Sequence, residues 1–234
     1  MAANAARRRL REFADRERAV FIKGFFKTGP GQYGEGDKFL GLRVPDLRKV
    51  ALEFRSLPLR DLRDLLQSKW HEERLLALVI LVDQYACGDQ KERQAIYKLY
   101  LKSTDRINNW DLVDCSAPQI VGGHLATRNR KPLYGLGKSK SVWKRRIALL
   151  ATLHFIRRGE FDDSFALAES LLDDKHDLIH KAAGWMLREI GKRDRPALEN
   201  FLRKHAARMP RTMLRYAIER FPPAARRRYL TKSS

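Results

Sequence analysis

The stretch ERLLALVILV, residues 73–82, decides the fold because its kind recurs. It is too long and too evenly apolar for a half-buried strand, and it reads as a buried helix. WDLVDCSAP at 110–118, KRRIALLATL at 144–153 and HKAAGWMLREI at 180–190 have the same helical character. Arg74, Trp110, Arg146 and Lys181 mark the four runs at intervals of 36, 36 and 35 residues, with a shorter helical stretch in each gap. Two helices per period of this length define stacked helical pairs of the HEAT or TPR type. The aromatic consensus of TPR units is absent. The expectation is therefore an all-α, HEAT-like repeat α-solenoid of antiparallel helix pairs, one domain over residues 1–234, with a concave basic groove.

Helical periodicity covers 14–27, 45–55, 58–67, 71–87, 89–103, 109–125, 141–158, 161–172, 176–192, 195–208 and 210–220. Residues 1–13 are short for a full first helix. Pro45, Pro58, Pro196 and Pro210 fall near helix starts, where a missing N–H does no harm. KTGPGQYGEGDKFLG, 27–41, is a glycine-rich loop that follows no strand and lacks the GK[ST] ending of a phosphate-binding loop. PLYGLGKS, 132–139, has a proline where such a motif needs its first glycine.

Charge narrows the function. The 234 residues carry 48 Lys and Arg against 28 Asp and Glu, a net +20, with an isoelectric point near 10.3. A polyanionic partner is the natural reading, against the blander one of an arginine-rich proteome. No apolar run is long enough for a membrane span, and the basic N-terminus lacks the apolar core of a secretory signal. Cytoplasmic location is the expectation. Cys87 and Cys115 lie in apolar helical patterns and read as free core thiols.

Metal chemistry is poorly supported. His176 and His180 are i, i+4 but lack the glutamate of a zincin motif, and they read as a cap and a surface histidine. No metal and no cofactor is expected. Basic and aromatic residues are more informative. On 176–192 the apolar stripe is Ile179, Ala182, Ala183, Met186, Leu187 and Ile190, while Lys181, Trp185, Arg188 and Lys192 share the other face. An indole among cations suits a nucleic-acid backbone, and helix packing is the competing explanation. Lys138, Lys140, Lys144, Arg145 and Arg146 add phosphate-binding capacity within nine residues.

In INNWDLVDCSAPQIVGG, 107–123, Trp110, Val113, Asp114, Ala117, Ile120 and Val121 fall on one helical face. Asp111 has a ready role: with Asn108 as N-cap it meets free N–H groups in the first turn. Asp114 does not. Pro118 cannot donate to the Asp114 carbonyl, so the helix should bend there and open that face. A buried carboxylate must pair with a base or face a groove. An anion beside an indole attracts a cation, and a cation on a basic protein makes sense as a local positive charge within a polyanion. DNA whose purines are alkylated at N3 or N7 has that character.

WDLVD with the following SAP, KRRIA around Arg146 and GWMLRE at 184–189 resemble the AlkD family of DNA alkylation repair proteins, HEAT-like alkylpurine DNA glycosylases. The resemblance implies that Trp110 and Trp185 are active-site tryptophans and Asp114 the catalytic carboxylate. It implies DNA contact by Arg146 and Arg188, with Lys181, Lys144 and Arg145 as neighbouring cations and Tyr33 and Arg43 as further groove residues. The implied activity is hydrolysis of the N-glycosidic bond of cationic N3- and N7-alkylpurines in double-stranded DNA, without base flipping, by a monomer. The alternatives are a non-enzymatic protein of this scaffold that binds duplex or structured nucleic acid, and an adaptor for acidic proteins. The Trp110–Asp114 pair favours catalysis. The expected site lines one concave surface through Trp110, Asp114, Arg146, Trp185 and Arg188.

Overall fold

All regular structure among the described residues, 2–231, is helical, and the only β feature is an isolated bridge between Lys38 and Trp70. In the computed structural model the chain divides into two units, Met1–Ile120 and Val121–Ser234.

The first unit contains α1 (Ala2–Arg11), α2 (Arg16–Phe25), α3 (Val44–Glu53), α4 (Leu59–Leu66), α5 (His71–Cys87), α6 (Gln90–Lys102) and α7 (Trp110–Asp114). The run that opens the sequence reading lies in α5, which packs against α3, α4, α6 and α7. Leu76, Ala77, Leu78, Ile80 and Leu81 are fully buried or nearly so, as a helix apolar on every side requires. Buried Glu73 meets Arg7 at 3.0 Å and Arg11 at 2.8 Å, which ties α1 to α5. The N-terminal segment is thus a true helix, contrary to the expectation from its length. Its stripe of Ala3, Ala6 and Leu10 is completely buried, but two alanines give little hydrophobic signal.

A π-turn, Pro118–Gly122, leads into the second unit. This unit holds α8 (Gly123–Leu125), α9 (Lys131–Gly137), α10 (Val142–Ala151), α11 (Leu153–Ile156), α12 (Asp162–Ser170), α13 (Asp177–Gly191), α14 (Arg195–His205), α15 (Arg211–Ala217) and α16 (Pro223–Thr231). Helix α13 is its centre and packs on α10, α11, α12, α14 and α15. All six members of its apolar stripe are fully buried. Gly184 permits the close approach of α15, since a Cβ there would stand 2.5 Å from the Met213 carbonyl oxygen.

Several local expectations change. The helix expected over 109–125 is broken: α7 ends at Asp114, Cys115 and Ser116 form a turn, and the π-turn begins at Pro118. The missing N–H of Pro118 and the Ser116 hydroxyl, which donates to the Leu112 carbonyl at 2.5 Å, both work against a continuous ladder. The N-cap is Asn109, not Asn108. Cys87 is exposed at the end of α5 rather than a core thiol. PLYGLGKS runs through helix α9. No helix among the described residues is long and apolar enough to cross a membrane.

Candidate functional site

In the first unit the site grows from α7. Asn109 has extended φ and ψ of −150° and 156°, and its side-chain oxygen accepts from the Trp110 amide at 2.8 Å. Leu112 and Val113 are fully buried and turn the helix so that Trp110 and Asp114 remain half-buried. The Trp110 ring stacks on Phe26, with centroids 5.3 Å apart and planes at 25°. Phe25 meets the same indole edge-on at 5.8 Å. Behind Phe26 lie Phe39 at 5.2 Å and His71 at 5.0 Å, and Phe39 and His71 stack on each other at 4.7 Å. The result is an aromatic wall whose outer member, Phe25, is 58% exposed.

The wall's polar backing was not legible as such. Residues Asp37–Gly41, from the glycine-rich stretch, run against the start of α5. The Lys38 carbonyl accepts from the His71 amide at 2.8 Å, and the Glu72 carboxylate accepts from the amides of Leu40 and Gly41. Asp37 accepts from Arg74 at 2.6 Å and lies 3.2 Å from His71 Nδ1. The other ring nitrogen, Nε2, lies 2.7 Å from Asp111 Oδ2. Asp111 therefore does more than serve the helix start: Oδ1 accepts from the Leu112 amide while Oδ2 faces the histidine.

These contacts set the charges. Burial works against a charged His71, yet the field of Asp111 and the bonds to Asp111 and Asp37 prevail and raise its pKa to about 9. Burial likewise opposes ionisation of Asp37, but the bond to His71 and the charge of Arg74 hold its pKa below the usual range. Cys115 is not a poised nucleophile. Burial, then the charges of Asp111 and Asp114, push its thiol far above the usual range.

Tyr33 is half-buried in the glycine-rich loop. Arg43, at the N-cap position of α3, donates to Asp46 at 3.0 Å and is otherwise well exposed.

In the second unit, Lys144, Arg145 and Arg146 follow one another on α10 but differ in their engagement. Arg145 grips Asp174 at 2.6 Å and also donates to the Ser139 and Lys140 carbonyls. Arg146 is buried and donates to the Leu178 carbonyl at 2.7 Å. Lys144 is half-buried. On α13, Lys181 pairs with Asp177 at 2.7 Å, Arg188 pairs with Glu219, and the Trp185 indole donates to Glu189 at 3.3 Å. Trp185 is thus half-buried rather than openly exposed. Glu189 also serves Lys192 and Arg193. His176 caps α13, its Nδ1 accepting from the Leu178 amide at 3.2 Å.

The fold and these features define a helical-repeat protein with an aromatic wall and carboxylate in one unit and a cationic helix face in the other. The chain belongs to the family described as DNA alkylation repair enzyme, whose profile matches residues 6–221. The family resemblance carried by WDLVD, KRRIA and GWMLRE is borne out. Among solved structures, a "Predicted DNA alkylation repair enzyme from Enterococcus faecalis" has a TM-score of 0.68 with this chain at 17% identity. The match covers 90% of this chain and 97% of that one. At such identity the likeness speaks for the fold. No curated protein matches the chain.

Proposed function

We propose that this protein is a DNA glycosylase that releases positively charged N3- and N7-alkylpurines from duplex DNA. The observation that carries the reading is the pairing, on one short helix, of a stacked indole and a half-buried carboxylate, Trp110 and Asp114. An indole face attracts a cationic purine more than its neutral parent. The scissile C1′–N bond breaks with its electron pair passing to the purine, which leaves neutral, and cationic character builds on the sugar. Asp114 stabilises that cation electrostatically and orients the water whose oxygen bonds to C1′ as a proton is lost. The lesion is held without extrusion from the stack.

Trp185, Arg146, Arg188, Lys181, Lys144 and Arg145, with Tyr33 and Arg43, are the proposed further contacts to DNA. The reading requires no cofactor or metal and has the protein acting as a cytoplasmic monomer. The test is incubation with a duplex carrying a single 7-methylguanine. Enzyme-dependent release of free base, leaving an abasic site, supports the proposal. Tight duplex binding without release over many hours assigns the protein to the non-enzymatic alternative.

A further inference from the structure

Four charged or chargeable side chains lie behind the aromatic wall: Asp37, His71, Arg74 and Asp111. His71, Arg74 and Asp37 are at most 5% exposed, and Asp111 is 19% exposed. Both ring nitrogens of His71 face carboxylate oxygens. An ionised carboxylate has no hydrogen to give, so each nitrogen must be the donor. A neutral imidazole has one N–H only, and its other nitrogen would set a lone pair against an acceptor. With both carboxylates ionised, the geometry calls for an imidazolium. With it the quartet has two positive and two negative charges; without it a net negative charge is left behind the wall.

The quartet also answers a mechanical question. Helix α7 is five residues long and is followed at once by a turn, so it cannot hold its own direction. Its apolar anchors, Leu112 and Val113, fix its depth. Rotation about its axis is restrained from the side by Asp111, next to Trp110 and one turn before Asp114.

We propose that His71 is a positioning residue: a buried imidazolium that clamps Asp111 of α7 and Asp37 of the glycine-rich loop to α5, and so sets where Trp110 and Asp114 face. The relevance of the clamp to excision rests on the glycosylase reading; the clamp itself does not. Its field is set by Asp37 from the loop, Asp111 from α7, and Arg74 from its own helix. Glu72 and Glu73 on that helix are engaged elsewhere, with the Leu40 and Gly41 amides and with Arg7 and Arg11. Phe26 and Phe39, packed on each other, both contact the ring.

The experiment is a nuclear magnetic resonance titration of the full-length protein labelled with ¹⁵N at histidine and tryptophan. Trp110→Phe assigns the indole signal. Both His71 ring nitrogens should carry protons at neutral pH, and the Trp110 indole N–H should shift with the same midpoint as His71, near pH 9. Asp111→Asn removes one charge at constant shape, and both midpoints should fall together by roughly one to three units. Should that variant not fold, Asp37→Asn tests the opposite ring nitrogen in the same way, and the parental titration needs neither. A neutral His71 at pH 7, or a Trp110 signal that ignores the titration of His71, overturns the clamp. Excision is measured separately on the 7-methylguanine duplex. A protein that never excises but shows the coupled titration refutes the glycosylase reading and upholds the clamp. Excision by Asp111→Asn that is unchanged across the pH range in which its Trp110 signal moves overturns the positioning role.

Discussion

Arg188 and Glu219 form an ion pair that joins α13 to the residues just beyond α15, with the arginine 17% and the glutamate 45% exposed. A carboxylate thus occupies the guanidinium proposed for a DNA phosphate. Binding must exchange one anion for the other, so Glu219 is a competitor as well as a structural partner. Glu219→Gln should tighten duplex binding at low salt by roughly two- to fivefold, the size of an exposed pair. Arg188→Ala should weaken it and make the plot of log affinity against log salt shallower by about one unit. Fluorescence anisotropy over a salt series checks both. Equal affinity of Glu219→Gln and parent would remove the competition argument.

Asp114→Asn should keep the fold and duplex affinity while slowing excision by roughly 100- to 1000-fold. The loss should be smaller for 7-methylguanine than for a poorer leaving group, whose transition state leans more on the carboxylate. A structural role would instead lower melting temperature and affinity together with activity. Single-turnover excision, calorimetry and anisotropy on one variant separate the cases.

The charge quartet predicts how stability varies with pH. The pKa of His71 is raised on folding from 6.5 to about 9, so between these values the folded state binds more protons and stability falls as pH rises. The contribution is complete below about pH 6.5 and lost through pH 9, on the order of 2–4 kcal/mol. Asp37 acts with the opposite sign. Its folded pKa is lowered from 3.8, so its contribution is present above that value and disappears as pH falls through the lowered one. Urea midpoints from pH 4 to 10 should decline on the alkaline side, and Asp111→Asn should flatten that decline.

Two glycines of the same loop should respond differently to alanine. Gly36 has a φ of 83° with open space around it, so Gly36→Ala should cost only the backbone strain, about 1–2 kcal/mol. Gly41 has a φ of 89°, and an added Cβ would meet the Asp15 carbonyl oxygen at 2.0 Å and the Ala19 amide at 2.8 Å. Gly41→Ala should therefore be much more damaging and should loosen α2 from the loop. Thermal melts of the two variants make the comparison, and equal losses would count against the packed junction.

The helical-repeat character is readable because α5, α10 and α13 are rich in buried apolar residues, and burial of a helix face leaves its period in the sequence. Trp110 and Asp114 are legible for a related reason: an ionisable group interrupts an apolar stripe. His71, Asp37 and Phe26 gave no such sign. Their relation is made by the loop's path along the start of α5, and contacts across 34 and 40 positions have no period. The doublet Phe25–Phe26 beside the glycine-rich loop was the one available hint. The cations of α13 are legible from their spacing, and Asp177 and Glu189 stand at helical spacing from Lys181 and Lys192, but the partner of Arg188 is not legible in this way. Glu219 lies 31 residues from Arg188, outside any helical pattern that connects them.

The four-membered charge set behind the aromatic wall also constrains descent. Loss of any one member leaves an unmatched charge in a place with little water, a change selection should remove quickly. Drift at Asp37, His71, Arg74 and Asp111 must then proceed by compensated steps, an acid and a base exchanged together for neutral partners. Lineages that have given up the histidine should therefore have given up a carboxylate as well.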